Sequence, residues 1–205
     1  MNNEYYSDVV EYDPNYLGRI GGNIPESLIS MVSTEYYFYA TLPYPNKERI
    51  MFSIFTPKNF EVMNDKNIYP NCSIKVITHV FSQESLEPLF NNPDLTRMSI
   101  TNYSTLESNY YSVREENQKN FDFGDDFEEL DEPYHSIVIG RKPILIQEDD
   151  IYTDALNKDD YEFFMQIDES GMPSDLFRKN YIFGYGALYL YMNPKKEIIA
   201  GFWQN

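Results

Sequence analysis

Two stretches of the chain, MFSIFTPKN (51–59) and LYLYMNPKK (188–196), follow one pattern: apolar and small residues, then Thr or Asn, then Pro-Lys. Such runs, rich in aromatic and β-branched residues and stopped by Pro, read as strands. The likeness extends outward. Ile20-Gly21-Gly22-Asn23-Ile24-Pro25, a strand at Tyr36 to Leu42, MFSIFTPK and SIKVITHVF follow one another in the first part. Ile139-Gly140-Arg141-Lys142-Pro143, a strand at Glu162 to Asp168, LYLYMNPK and EIIAGFW follow one another in the second. Order and character match while the connections differ in length, which reads as an internal duplication. Neither half can bury an apolar face alone, so the expectation is one body. It is a single domain over 1–205, with pseudo-repeated halves at about 16–81 and 134–205. A partly helical, acidic insert at about 82–133 joins them.

The segments predict strands at 35–42, 49–56, 73–81, 136–147 (around a Gly-Arg-Lys-Pro turn), 161–168, 187–192 and 197–203, and a hairpin connection at Asn193 to Lys196. Short helices are predicted at 59–67 and 82–89, where Ser82 opens the run as an N-cap and Glu84 follows in the first turn. A helical turn is predicted at 150–156. Leu106, Tyr110 and Val113 have helical spacing within 105–119. The resulting fold class is α+β, with mostly antiparallel sheets.

A chain of 205 residues can bury a sizeable core without staples. Its 19 Tyr and 14 Phe favour strands and supply amphipathic rings for contact. With 16 basic and 33 acidic residues, the net charge is −17. That charge disfavours nucleic acid, whose phosphates would be repelled, and an anionic membrane surface; it suits a basic protein partner. Seven acids fall between Asp122 and Glu132, among them Asp125, Asp126, Glu128 and Glu129, the expected partner-binding residues. Cys72 is the one cysteine, so an intramolecular disulfide is impossible, which suits a reducing compartment. MNNEYYSDVVEYD has neither the basic start nor the apolar core of a secretory signal, and no apolar run reaches the ~20 residues of a membrane helix. The expected location is cytoplasmic.

The residues that carry chemistry are sparse. Cys72, His79 and His135 are all the Cys and His present, with no zinc-site spacing, so no metal ligands are assigned. Cys72 and His79 on one strand would stand more than about 20 Å apart, too far for a nucleophile and its base. His135 could pair only with a distant acid. The glycines at 18–22 lack the Lys-Ser/Thr of a phosphate loop. No catalytic constellation and no cofactor site emerge.

The stretches IVIGRKPILIQED (137–149), YEFFMQID (161–168), IFGYGALYLYM (182–192) and GFWQ (201–204) resemble the YwqG-like bacterial family of unknown function. Gln147, Glu148, Gln166, Asp168, Gly184 and Trp203-Gln204 match its motifs. Arg141 stands where the family has the second Gly of a Gly-Gly turn, and Tyr185 where it has Asp. The likeness covers the last ~70 residues well and the first ~60 loosely. It implies an α+β protein with an internal pseudo-repeat and brings no reaction or cofactor. Some members are encoded beside toxin genes, which implies an immunity role.

These readings converge on a non-enzymatic cytoplasmic binding protein, in one form an immunity-type inhibitor of a basic toxin domain. The alternatives are a small-ligand-binding or hydrolytic domain, with a polar cleft between the halves lined by Gln147, Glu148, Gln166 and Asp168, and a structural or interaction protein without a discrete site.

Overall fold

A computed structural model describes residues 4–60, 68–105, 135–140, 142–195 and 197–205. Twelve strands form among them: β1 (Tyr5–Ser7), β2 (Val9–Val10), β3 (Gly18–Ile20), β4 (Tyr36–Pro43), β5 (Ile50–Pro57), β6 (Lys75–Val80), β7 (Met98–Ile100), β8 (Ser104–Thr105), β9 (Ile137–Ile139), β10 (Glu162–Asp168), β11 (Ala187–Met192) and β12 (Ile198–Gln204). They make two six-stranded sheets, ordered β12-β11-β10-β9-β1-β8 and β2-β7-β3-β4-β5-β6. Among the described residues, every pairing between these strands is antiparallel.

The period-2 alternation decides which faces meet. Ile20, Ala40, Leu42, Phe52, Ile54, Met98 and Ile100 from one sheet share a single cluster with Ile137, Ile139, Met165, Ile167, Leu188 and Leu190 from the other. Phe164 is wedged against both Phe52 and Tyr44 across the interface, with ring centroids 5.6 and 5.7 Å away. At Tyr39 and at Phe164 the strand pairing slips by one residue, and each extra residue turns a ring into this core.

Each sheet also carries an outer layer. Ile24, Leu28, Val32 and Phe90 pack with Phe38 and Phe55 on the outside of the second sheet. Leu145, Ile146, Tyr152 and Leu156 pack with Tyr189, Tyr191 and Phe202 on the outside of the first.

The α+β expectation is corrected here: among the described residues the fold is close to all-β. Among the described residues the single α-helix is α1 (Asp154–Lys158) and the other helical pieces are 3-10 turns; the one at Asp150–Tyr152 and the start of α1 fill the helical turn expected at 150–156. The helix expected at 82–89 does not form. Its main chain bonds instead to residues 24–26: Glu26 N–H donates to Gln83 O at 2.8 Å and Ser85 N–H to Ile24 O at 2.9 Å. Glu84 faces Arg19 and Arg97 rather than capping a helix. Pro88 opens only a 3-10 turn, Pro88–Phe90. The predicted helices at 59–67 and 105–119 lie almost wholly outside the described residues. Beyond β9, the apolar stretch 142–147 is not a strand.

Tyr39 illustrates how tightly the core is closed. Its ring is fully buried, its hydroxyl has no hydrogen-bond partner among the described residues, and burial raises its pKa well above the ordinary phenol value. An unpaired buried hydroxyl destabilises. Tyr39→Phe is therefore expected to raise the unfolding free energy by about 1 kcal/mol in urea melts.

Candidate functional site

The four residues expected to line a cleft are placed in two ways. Gln166 and Asp168 stand on the outer face of β10, both buried. Gln166 Oε1 accepts the Ile144 N–H at 3.1 Å, and its Nε2 lies 3.5 Å from Asp168 Oδ2. Gln147 and Glu148 are exposed. Gln204 fastens Gln147 by its main chain, its Oε1 accepting from Ile146 N–H and Gln147 N–H while its Nε2 donates to Gln147 O. Tyr189 OH donates to Ile144 O at 2.8 Å. Gln166, Tyr189 and Gln204 thus belong to the fastening of a strap, residues 142–149, across the first sheet. Extended backbone laid on a sheet face has donors and acceptors that no ladder satisfies, and these side chains supply the partners.

Four of the buried and half-buried carboxylates are likewise held by main chain. Fully buried Glu169 takes Ile182 N–H at 2.9 Å on Oε1 and Phe183 N–H at 2.8 Å on Oε2, with Tyr185 N–H also contributing. Burial pushes its carboxyl up to about 8 against the pull of those donors. Asp168 Oδ1 caps the next turn, taking Ser170 N–H at 3.1 Å and the Ser170 hydroxyl at 2.6 Å. Asp8 accepts Ser136 N–H on Oδ1 and meets His135 Nδ1 at 3.0 Å on Oδ2, with Tyr6 stacked on that imidazole at 3.6 Å. Glu84 takes Asn23 N–H at 2.7 Å and ion-pairs with Arg97 Nη2, with Arg19 3.7 Å away.

His135 does find a distant acid, across 127 residues. Cys72 and His79 do not pair. Cys72 Sγ sits 3.8 Å from Gly201 O with its thiol pushed up to about 11 by burial, far from nucleophilic poise. His79 Nε2 instead meets Ser53 Oγ at 2.8 Å, a pair that the sequence did not signal because strand register alone brings it together. Ser53 is fully buried beneath the sheet surface and burial lowers the His79 pKa, so the pair belongs to the polar row Thr41–Ser53–His79 across β4, β5 and β6.

What remains presented to solvent is of another kind. The layer over the second sheet exposes Leu86, Leu89 and Met31 at 98%, 50% and 58%, with Glu26 and Glu87 exposed beside them in sequence. The expected partner-binding residues Asp125, Asp126, Glu128 and Glu129 lie outside the described residues. Among the described residues no His/Cys/Asp/Glu group could hold a metal ion, and no helix is long and apolar enough to cross a membrane. Comparison with known families and with curated proteins finds no match.

Proposed function

We propose that this chain is a non-enzymatic binding protein for a basic protein partner, acting in the cytoplasm as an immunity-type inhibitor of a basic toxin domain. One observation carries the reading. Four carboxylates in the body of the fold, those of Asp8, Glu84, Asp168 and Glu169, each accept main-chain N–H groups. General acid–base work needs a carboxyl that reaches a substrate proton; these four hold loops and turns. The rest of a −17 net charge is left to attract and orient a cationic surface. The immunity form rests on the YwqG-like resemblance, carried by the short motifs alone.

The same reading includes a duplication. β3 to β6 and β9 to β12 are each a four-stranded meander, and in each the second strand slips register at a core aromatic, Tyr39 or Phe164. MFSIFTPK and LYLYMNPK fall on the third strand of each, β5 and β11.

The test is a pull-down of tagged protein from its native lysate, eluted with rising salt. The expected result is one basic protein in near-equal amount, released by salt, whose toxicity on expression is relieved by co-expression of this chain. An empty column, or a retained protein that is acidic, would overturn the reading.

A further inference from the structure

The first sheet holds the strap by its main chain. On the outer face of that sheet Val138, Gln166, Tyr189 and Phe202 stand directly opposite one another across β9, β10, β11 and β12. Gln204 lies two residues beyond Phe202, on the same face. Both main-chain groups of Ile144 are taken by this row, the N–H by Gln166 Oε1 and the carbonyl by the Tyr189 hydroxyl. Both main-chain groups of Gln147 are taken by Gln204, whose Oε1 also accepts the Ile146 N–H. Three sheet side chains thus bind five main-chain groups of the strap.

A glutamine amide carries a donor and an acceptor side by side, the pair that a peptide unit itself presents, so these bonds select main chain and not particular side chains. The apolar floor supplies the side-chain preference. Leu145 and Ile146 pack with Tyr189 and Phe202, and Ile144 packs on Val138 beside Tyr6. Any extended segment with successive apolar residues meets the same contacts.

The strap occupies this place lightly. The floor residues Val138, Gln166, Tyr189, Phe202 and Gln204 are 4%, 3%, 0%, 0% and 2% exposed. None of residues 142–149 is buried: Ile144, Leu145 and Ile146 are half-buried, and Gln147 and Glu148 are exposed. The strap belongs to no strand ladder. A segment with few buried contacts opens at a lower free energy than the sheet beneath it. Opening alone uncovers the apolar floor, and a second extended segment that takes the strap's place covers it again and remakes the same bonds.

We propose that the row from Val138 to Gln204 is a groove for an extended apolar segment of a partner protein, filled in the isolated chain by its own strap, and that the partner's segment binds by displacing residues 142–149. This rests on the binding reading above for the existence of a partner, and it places that partner's segment at a site whose contacts do not depend on charge.

The test uses the full chain and a fluorescein-labelled peptide of the strap's own sequence, Lys142 to Asp149, followed by fluorescence anisotropy. In the wild type the strap competes at an effective concentration on the order of millimolar, so the peptide binds weakly. The double variant Leu145→Asp, Ile146→Asp unseats the strap without altering the groove and is expected to bind the peptide at least about tenfold more tightly. Adding Gln204→Ala to it is expected to abolish that gain. Hydrogen exchange on the wild type is the independent check if the double variant fails to fold. There the Ile144, Ile146 and Gln147 amides are expected to exchange at least about a hundredfold faster than those of Leu188 and Leu190 in β11. Equal peptide affinity for wild type and double variant, a gain that survives Gln204→Ala, or strap amides protected as long as those of β11 would overturn the groove and leave the basic-partner reading standing. An empty affinity column would overturn that reading and leave peptide binding in the groove unaffected.

Discussion

Gly186→Ala is expected to cost about 3 kcal/mol of unfolding free energy, read as a lower urea midpoint at unchanged slope. Gly186 enters β11 where three pieces of main chain converge. Its N–H donates to Phe183 O at 3.1 Å, and its carbonyl accepts Glu169 N–H at 2.9 Å. A Cβ there would run into the Gln204 carbonyl oxygen and stand 2.8 Å from the Phe183 oxygen. Both obstacles are backbone, so no rotamer change relieves them. The displacement would pass to the Ala187–Gln204 and Asp168–Ala187 pairings, and so to the middle of the first sheet. Stability within about 0.5 kcal/mol of wild type would show that the loop before β11 yields more freely than this packing implies.

Glu169→Ala is expected to be at least as damaging, because it leaves the buried Phe183 amide and the part-buried Ile182 amide without their acceptor, at about 1–3 kcal/mol each. The informative variant is Glu169→Gln, which keeps the shape. Burial raises the folded-state pKa from 4.5 to about 8. Between those values the folded chain keeps a proton that the unfolded chain has lost. The stabilising contribution is full below 4.5 and declines as pH rises through about 8. Wild-type stability should therefore fall in that window by up to about 1.4 kcal/mol per pH unit from this group. Glu169→Gln should show a flatter profile, in urea melts taken across the series. Parallel profiles for the two proteins would mean that Glu169 does not titrate there and that the three amide donors hold it ionised.

Strands were the legible part of this chain. β4, β5, β6, β10, β11 and β12 each fall within about two residues of the expected runs, because their alternation and Pro or Asn punctuation are local signals. β1, β2, β3, β7 and β8 were not legible. They are two or three residues long, too short for a period to register, and exist because neighbouring strands bond them. The stretch 82–89 shows the reverse failure: a capping pattern that points to a helix was overridden by bonds to residues 24–27, sixty residues away in sequence. Of the expected cleft residues, Gln166 and Asp168 did prove neighbours, as two residues on one strand face must be. Their meeting with the strap at Ile144 could not be foreseen from spacing.

The sequence by itself determined the β character, the strong negative charge, the order of the two meanders and the lack of a zinc-type spacing. These depend on residue type and on separations of a few positions along the chain. The tertiary structure alone decided which carboxylates are held by main chain, that Ser53 meets His79 and Asp8 meets His135, and that Leu86 faces water while Phe90 does not. Each of those depends on contacts between residues distant in sequence, set by register and by which sheet covers which face. Local propensity carries no information about either.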